Sequence, residues 1–145
     1  MSNLLTDVKV IQTKGRVDDQ DNITDGTVID MKGYESCLFL LVLGTTVDTA
    51  KLNMTVQDGP ADNDLSNTVA TTGDVTVTGD TDEEILALEV VKPRLRYLRC
   101  NVVSDTANAE KNTLLAILSG PRDRPTDHDD AVIAEKVFLS PAKAT

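Results

Sequence analysis

Aromatic residues, bases and metal-ligating residues are all scarce in this chain of 145 residues. It has two phenylalanines, two tyrosines, no tryptophan and one histidine, and acidic residues outnumber basic ones by 24 to 14, for a net charge of -10. Nucleic-acid binding depends on clustered lysines and arginines that contact phosphates, and single strands also need aromatic side chains on which bases stack. We therefore expect no nucleic-acid partner.

Long hydrophobic runs are also missing. The longest apolar run, residues 37–43, is far shorter than the roughly 18–20 residues that cross a bilayer as a helix. The first residues lack the basic region followed by an apolar block that marks a signal peptide. We expect neither a membrane partner nor export.

Only two cysteines are present, Cys37 and Cys100, and both lie in predicted strands. They could pair if those strands are neighbours. The absence of an export signal favours two reduced thiols that act as small buried hydrophobic groups. Zinc is not expected, because the chain has no CxxC spacing.

Motifs for catalysis and cofactor binding are absent as well. The chain has no GxSxG, GxxxxGK[ST] or GxGxxG pattern, and its histidine, His128, lies among acids in a polar stretch. Acidic pairs occur in turn-rich segments, without the aromatic platforms that accompany the paired carboxylates of many glycosidases. We predict that the protein is not an enzyme and needs no cofactor.

One acidic loop resembles a cation site only in composition. Asp58, Asp62 and Asp64 supply three oxygen donors in one loop, and calcium prefers oxygen ligands. Their spacing does not match the EF-hand loop, and Asp is also a favoured turn residue. We interpret the loop as a turn and predict no metal.

The remaining pattern is that of β-strands separated by turns. Threonine and valine are abundant, and both favour strands. Residues 50–57 alternate apolar and polar side chains, which is typical of a half-buried strand. The predicted strands are residues 27–31, 34–43, 50–57, 65–70, 75–78, 84–91, 95–103 and 113–118. This spacing predicts an all-β protein, an antiparallel, jelly-roll-like β-sandwich of about seven to eight strands.

The strongest predicted strand contains the apolar run 37–43. A continuous run without polar alternation favours a strand that is covered on both faces. Phe39 and Leu41 are then expected on one face, and Leu38, Leu40 and Val42 on the other, with both faces buried. On that basis Leu40→Ala should cost about 2–5 kcal/mol.

The chain is predicted to have a core and two arms: an N-terminal arm at 1–26, a sandwich at 27–120 and an extended C-terminal arm at 121–145. The C-terminal arm has three prolines and an acidic cluster, followed by an apolar patch. A disordered tail would normally lack such a patch. The patch packs either on its own domain or on a neighbouring molecule, and it contains Val132, Ile133, Val137, Phe138 and Leu139.

Charge is distributed unevenly along the chain. From Val17 to Val91 there are 16 acids but only two bases, Lys32 and Lys51, and bases then become frequent. We expect Arg94 and Arg96 on one face of a strand and Arg99 on the other. The arginines either dock on an acidic partner or neighbouring copy, or cover apolar surface with their stems. The candidate interaction residues are Arg94, Arg96, Arg99, Arg122 and Arg124.

Three strand segments resemble those of a known family. They are residues 31–44 (MKGYESCLFLLVLG), 52–59 (LNMTVQDG) and 92–100 (KPRLRYLRC). In this order they are similar to the strands of small β-sandwich virion proteins of tailed bacteriophages, in particular the head decoration or cement proteins. The resemblance covers residues 27–119.

That resemblance implies a structural role without catalytic residues. It implies a protein of the outer capsid surface, soluble in the host cytoplasm before assembly, that stabilises the capsid by docking on the major capsid protein as a homotrimer. Two alternatives remain. One is a head–tail connector or tail component, and the other is a carbohydrate-binding β-sandwich module, which requires exposed aromatic side chains around a groove.

Overall fold

The computed structural model describes residues 4–18, 20–79, 81, 82, 84–122, 132 and 134. No helix in this part of the chain is long and apolar enough to cross a membrane. The described elements are one short helix, α1 (Leu4–Asp7), and the strands β1 (Val8–Lys14), β2 (Ile29–Asp30), β3 (Ser36–Thr46), β4 (Lys51–Gly59), β5 (Asn67–Thr71), β6 (Val75–Thr76), β7 (Thr81–Asp82), β8 (Ile85–Val91), β9 (Tyr97–Asp105) and β10 (Ala109–Ser119).

The strands form two five-stranded antiparallel sheets. Sheet A has the order β1-β10-β3, with β8 and the short β7 both paired to β3. Sheet B has the order β2-β9-β4, with β5 and the short β6 both paired to β4. If the short side strands β6 and β7 are left out, eight strands remain, and their pairs include β1–β10, β2–β9, β3–β8 and β4–β5. This nesting of first with last is the jelly-roll arrangement, and it confirms the predicted antiparallel sandwich.

The N-terminal residues differ from the expectation of an arm. Residues 8–14 form β1 at the edge of sheet A, and Ile23, fully buried, bridges to Val102 of β9. The sandwich therefore includes residues that the sequence analysis placed outside it. The apolar alternation of β1 is short, and its register shifts between Gln12 and Lys14, so the strand gives only a weak period-two signal.

The core lies between the inner faces of the two sheets. In β4, Leu52, Met54 and Val56 are fully buried while the intervening residues are exposed or half-buried, which confirms the half-buried strand predicted from alternation. In β3, Phe39 and Leu41 are fully buried on the inner face of sheet A. Burial of these faces supplies the main stabilising free energy of the fold.

The prediction that β3 is buried on both faces is wrong. On its outer face, Leu38, Leu40 and Val42 are only half-buried. Leu40 lies between Ala87 of β8 and Leu115 of β10, so strand neighbours shield it from the sides. Neighbouring strands shield part of the outer face of a central strand even where no second sheet packs on it. The apolar run could not distinguish this partial shielding from burial under a second layer.

Strand β10 begins earlier than expected. The predicted strands leave residues 104–112 outside any strand, but β9 continues to Asp105 and β10 starts at Ala109. Lys111 is fully buried in β10, where its Nζ donates to the carbonyl oxygen of Ala109 at 2.9 Å. A lysine and two register shifts in this segment hide the strand from a hydrophobic pattern.

Both cysteines are free and buried on inner faces of the sandwich. Removal from water raises the pKa of the Cys37 thiol to about 12, and the nearby Cys100 and Glu89 add to this effect. Burial likewise raises the pKa of Cys100 to about 12. Burial is therefore the main cause of both pKa shifts.

Candidate functional site: a cationic pocket

A cavity of about 410 Å³ opens at the end of the sandwich where β2 and β8 end and β3 and β9 begin. Its walls come from the β2–β3 connection, the β8–β9 connection and the residue two positions beyond Gly120. Five of the 14 basic residues of this acidic chain line it. We call it the cationic pocket, and its basic residues are Lys32, Lys92, Arg94, Arg96 and Arg122.

Backbone hydrogen bonds hold the three walls together. Each wall donates to or accepts from another, so the basic side chains project from a fixed frame rather than from independent loops. Fixed donors lose less conformational entropy when a ligand binds. The bonds run from the amide of Met31 to the carbonyl of Arg96 (2.8 Å), from Lys92 to Glu35 (2.7 Å) and from Arg122 to Gly33 (2.8 Å).

Two residues of the walls have left-handed backbone conformations. Gly33 has a φ of 87°, which glycine adopts readily, and Lys92 has a φ of 52°. Positive φ is uncommon for lysine and is retained only where the surrounding structure determines it. Here the amide of Lys92 is bonded to Glu35. The bend turns the chain from sheet A toward sheet B and brings Lys92 to the pocket wall.

Arg96 already has a partner within the domain. Its Nε and Nη2 lie 2.8 Å from the two carboxylate oxygens of Asp30, and its guanidinium carbon lies 5.0 Å from the centre of the Tyr97 ring. The hydrogen bond from Arg96 holds the pKa of Asp30 below its usual range, and the same bond raises the pKa of Arg96. Arg96 therefore anchors β9 to β2.

The other bases are less engaged. Lys92, Arg94 and Arg122 are exposed and form no salt bridge with any residue in the described ranges. The amide of Lys32 donates to Asp30 at 3.0 Å, while its side chain is exposed. Glu35 is the one acidic residue among the lining residues of the pocket. The pocket thus offers cationic groups to a ligand.

The structure brings some predicted residues together and separates others. Arg94, Arg96 and Arg122 meet at the pocket. Arg122 is distant in sequence from the other two. The expected strand faces for Arg94 and Arg96 are wrong, because both precede β9. Arg99 lies elsewhere, half-buried on the outer face of sheet B, with Nη2 3.5 Å from Gln57 Oε1.

Part of the predicted interaction set lies outside the described residues. This holds for Arg124, Ile133, Val137, Phe138 and Leu139. Val132 is described and half-buried. Sequence reasoning did not single out Lys32 as a site residue, because only the fold places the β2–β3 connection beside residues 92–96.

Acidic side chains collect at the opposite end of the sandwich. They occupy the connections near the ends of β1, β3 and β9 and the starts of β4 and β8, and they are exposed. The cationic pocket lies at the end of the sandwich away from these acids. The exposed acids are Asp18, Asp48, Asp74, Glu84 and Asp105.

The acidic loop after β4 does not assemble a cation site. Asp58 is fully buried, and neither of its carboxylate oxygens has a hydrogen-bond partner among the described residues, whereas Asp62 and Asp64 are exposed. Across the described ranges, no group of three His, Cys, Asp or Glu side chains is placed to hold a metal ion. The three carboxylates are therefore not gathered around one position.

None of the aromatic side chains in the described part of the chain is fully exposed, as a sugar-binding platform would require. Phe39 is fully buried, and Tyr34 and Tyr97 are half-buried. The fourth aromatic, Phe138, lies outside the described residues.

The fold resembles part of a larger viral protein. The chain aligns with a chain of the T13 infectious bursal disease virus particle (TM-score 0.53, 18% identity, covering 79% of this chain and 31% of that one). It aligns equally well with a chain of the Gx strain of that virus (TM-score 0.53, 18% identity, 81% and 35% covered). The chain spans about a third of the length of these proteins, and identity this low shows the shared fold. No family model and no curated protein matches the chain.

Proposed function

We propose that this chain is a structural virion protein that decorates and stabilises a tailed-phage capsid by docking on the major capsid protein. The observation that carries the proposal is the jelly-roll sandwich shared with a chain of a viral particle. Jelly rolls also occur in lectins and cupins, so the proposal needs a second observation besides the fold. That observation is the resemblance of residues 31–44, 52–59 and 92–100 to strands of phage decoration proteins.

The charge distribution suits docking between proteins. The chain as a whole has a net charge of -10, so the cationic pocket differs in charge from most of its surface. Complementary charge steers encounter and selects one orientation over others. A protein that binds many equivalent positions on a particle needs such an orientation signal.

Self-association is proposed to use the C-terminal residues 121–145, with a homotrimer as the assembled state. Burial of each large side chain of their apolar patch contributes about 1.5–3 kcal/mol to the free energy of association. Ordering the segment costs about 1–2 kcal/mol of conformational entropy per residue. The outer face of sheet A is the surface proposed to receive the patch of a neighbouring copy. β10 ends in that sheet at Ser119, and the face presents the half-buried apolar side chains Leu38, Leu40, Val42, Leu115 and Ile117.

Deletion of residues 127–145 tests the role of this segment. The expected result is a folded domain with nearly unchanged melting temperature as a monomer, together with weaker self-association in sedimentation velocity. A large fall in the melting temperature of the monomer would show that the segment belongs to its own core. Unchanged self-association would show that the segment does not act between copies.

Imaging of particles tests the proposed location. Cryo-electron microscopy of tailed-phage particles made with and without this chain should show its density on the outer capsid surface, at three-fold or quasi-three-fold positions. Particles without it should release their genome at a lower temperature. Density only at the portal vertex or in the tail would replace the proposal with the connector alternative, and specific binding on a glycan array would favour the carbohydrate-binding alternative.

A further inference from the structure

We propose that the cationic pocket binds an acidic peptide segment of the protein on which this chain docks. This inference rests on the proposed function for the identity of the partner, but the pocket itself is defined by described residues. Three of its bases, Lys92, Arg94 and Arg122, are exposed without a salt bridge to any described residue. They come from separate segments of the chain and meet only in the folded domain.

The arrangement of the bases favours an extended ligand over a compact anion. The bases line an open cavity of about 410 Å³ that adjoins a second one of about 340 Å³, which shares Lys32 and Arg122. Bases spread over two adjoining cavities match carboxylates spaced along a peptide. Arginine suits such a ligand because its guanidinium can bind a carboxylate at two points.

Apolar side chains between the bases also favour a peptide. Met31, Tyr34, Pro93 and Leu95 line the same cavity, and a peptide can place its own apolar groups against them. A phosphate ion has no such group to offer. Glu35, which also lines the cavity, repels anions locally. A peptide can bind so that none of its carboxylates lies beside Glu35.

Rigidity strengthens the case for a binding site. The backbone bonds among Met31–Arg96, Glu35–Lys92 and Gly33–Arg122 fix the walls, and Arg96 is held by Asp30. The other four basic residues of the pocket, Lys32, Lys92, Arg94 and Arg122, are exposed. They can therefore pair with the carboxylates of an acidic segment.

The test is a titration of fluorescently labelled hexaglutamate with the full chain, followed by fluorescence anisotropy at low ionic strength. We expect saturable binding that weakens as salt is added. The variant Arg94→Gln with Arg122→Gln should bind about tenfold more weakly or worse, because it removes two of the unpaired charges. The control, Arg16→Gln with Lys51→Gln, removes the same number of exposed charges at the opposite end of the strands, although Arg16 is paired there with two acids. It should bind like the unaltered chain.

Each other result overturns the inference. Absence of hexaglutamate binding, or equal losses in the two double variants, would show that the pocket does not select acidic peptides. Displacement of the peptide by inorganic phosphate, but not by chloride at the same ionic strength, would assign the pocket to a small anion. Tighter, pocket-dependent binding of oligothymidylate than of hexaglutamate would assign it to nucleic acid.

The two proposals can fail separately. If the chain attaches to capsids but does not bind hexaglutamate, the pocket assignment is wrong and the decoration role stands. If the pocket binds the peptide but imaging finds no chain on the capsid, the decoration role is wrong and the binding site stands.

Discussion

Arg96 and Asp30 form a two-point ion pair across the β2–β9 edge, with both nitrogen–oxygen distances at 2.8 Å. This pair joins the last residue of β2 to the residue before β9, and its arginine, Arg96, lines the cationic pocket. Because the guanidinium of Arg96 donates to both carboxylate oxygens, lysine cannot reproduce the geometry. The pair therefore links the stability of the sandwich edge to the shape of the pocket.

The first prediction concerns the pH dependence of this pair. The pKa of Asp30 is lowered in the folded state, chiefly by Arg96, so its stabilising contribution is complete above the ordinary Asp pKa of about 3.9 and is lost as pH falls through the folded value. Asp30→Asn should lower the urea midpoint near neutral pH, and the difference from the unaltered chain should vanish in strong acid. Asp62→Asn, at an exposed loop position, is the control. A difference that persists in acid would contradict the linkage.

The second prediction compares adjacent residues of β3. Leu41 is fully buried on the inner face, and Leu40 is half-buried on the outer face. Leu41→Ala should reduce the free energy of unfolding by about 2–5 kcal/mol, and Leu40→Ala by about 1 kcal/mol in the monomer, because less apolar surface returns to water. Urea unfolding at a concentration where the chain is monomeric measures both. Equal losses would mean that another layer covers the outer face.

The third prediction concerns Gly59 at the end of β4. A Cβ atom added there would lie 1.6 Å from the backbone carbonyl oxygen of Asp64, so the backbone must move to accept it. Gly59→Ala should reduce the free energy of unfolding by about 1–3 kcal/mol or more. Gly15→Ala, where no atom lies within 4 Å of the added Cβ, should be close to neutral. Thermal unfolding of both variants is the measurement, and a neutral Gly59→Ala would show that the loop adjusts freely.

The fourth prediction concerns the buried thiols. Their pKa values rise from the ordinary 9.0 to about 12 in the folded state. The unfolded chain therefore loses these protons first, so their contribution to stability is complete below pH 9 and is lost as pH rises toward 12. The melting temperature should fall over this range more steeply for the unaltered chain than for Cys37→Ala with Cys100→Ala.

Alkylation provides an independent check of the same burial. Iodoacetamide at mildly alkaline pH should modify the folded chain slowly and the urea-unfolded chain completely, as seen by intact mass, because the thiolate is the reactive form. Rapid modification of the folded chain would show that the thiols are accessible.

Several elements could be predicted from sequence because their signals are local. The alternation of residues 50–57 identified β4 and its buried face, and the apolar run 37–43 identified the centre of β3. The edge strand β1 and the start of β10 could not be predicted in this way. Polar residues and register shifts interrupt both, and partners distant in sequence stabilise them as strands.

The sequence by itself determined the fold class, the acidic character and the inner faces of the main strands, because strand propensity and period-two burial act over a few residues. Only the tertiary structure decided that Lys32, Arg94 and Arg122 share one pocket while Arg99 does not. It also decided that the outer face of β3 is half-buried. Both depend on which strands become neighbours, and the jelly-roll pairing of first with last strand joins residues about a hundred positions apart, which local patterns do not encode.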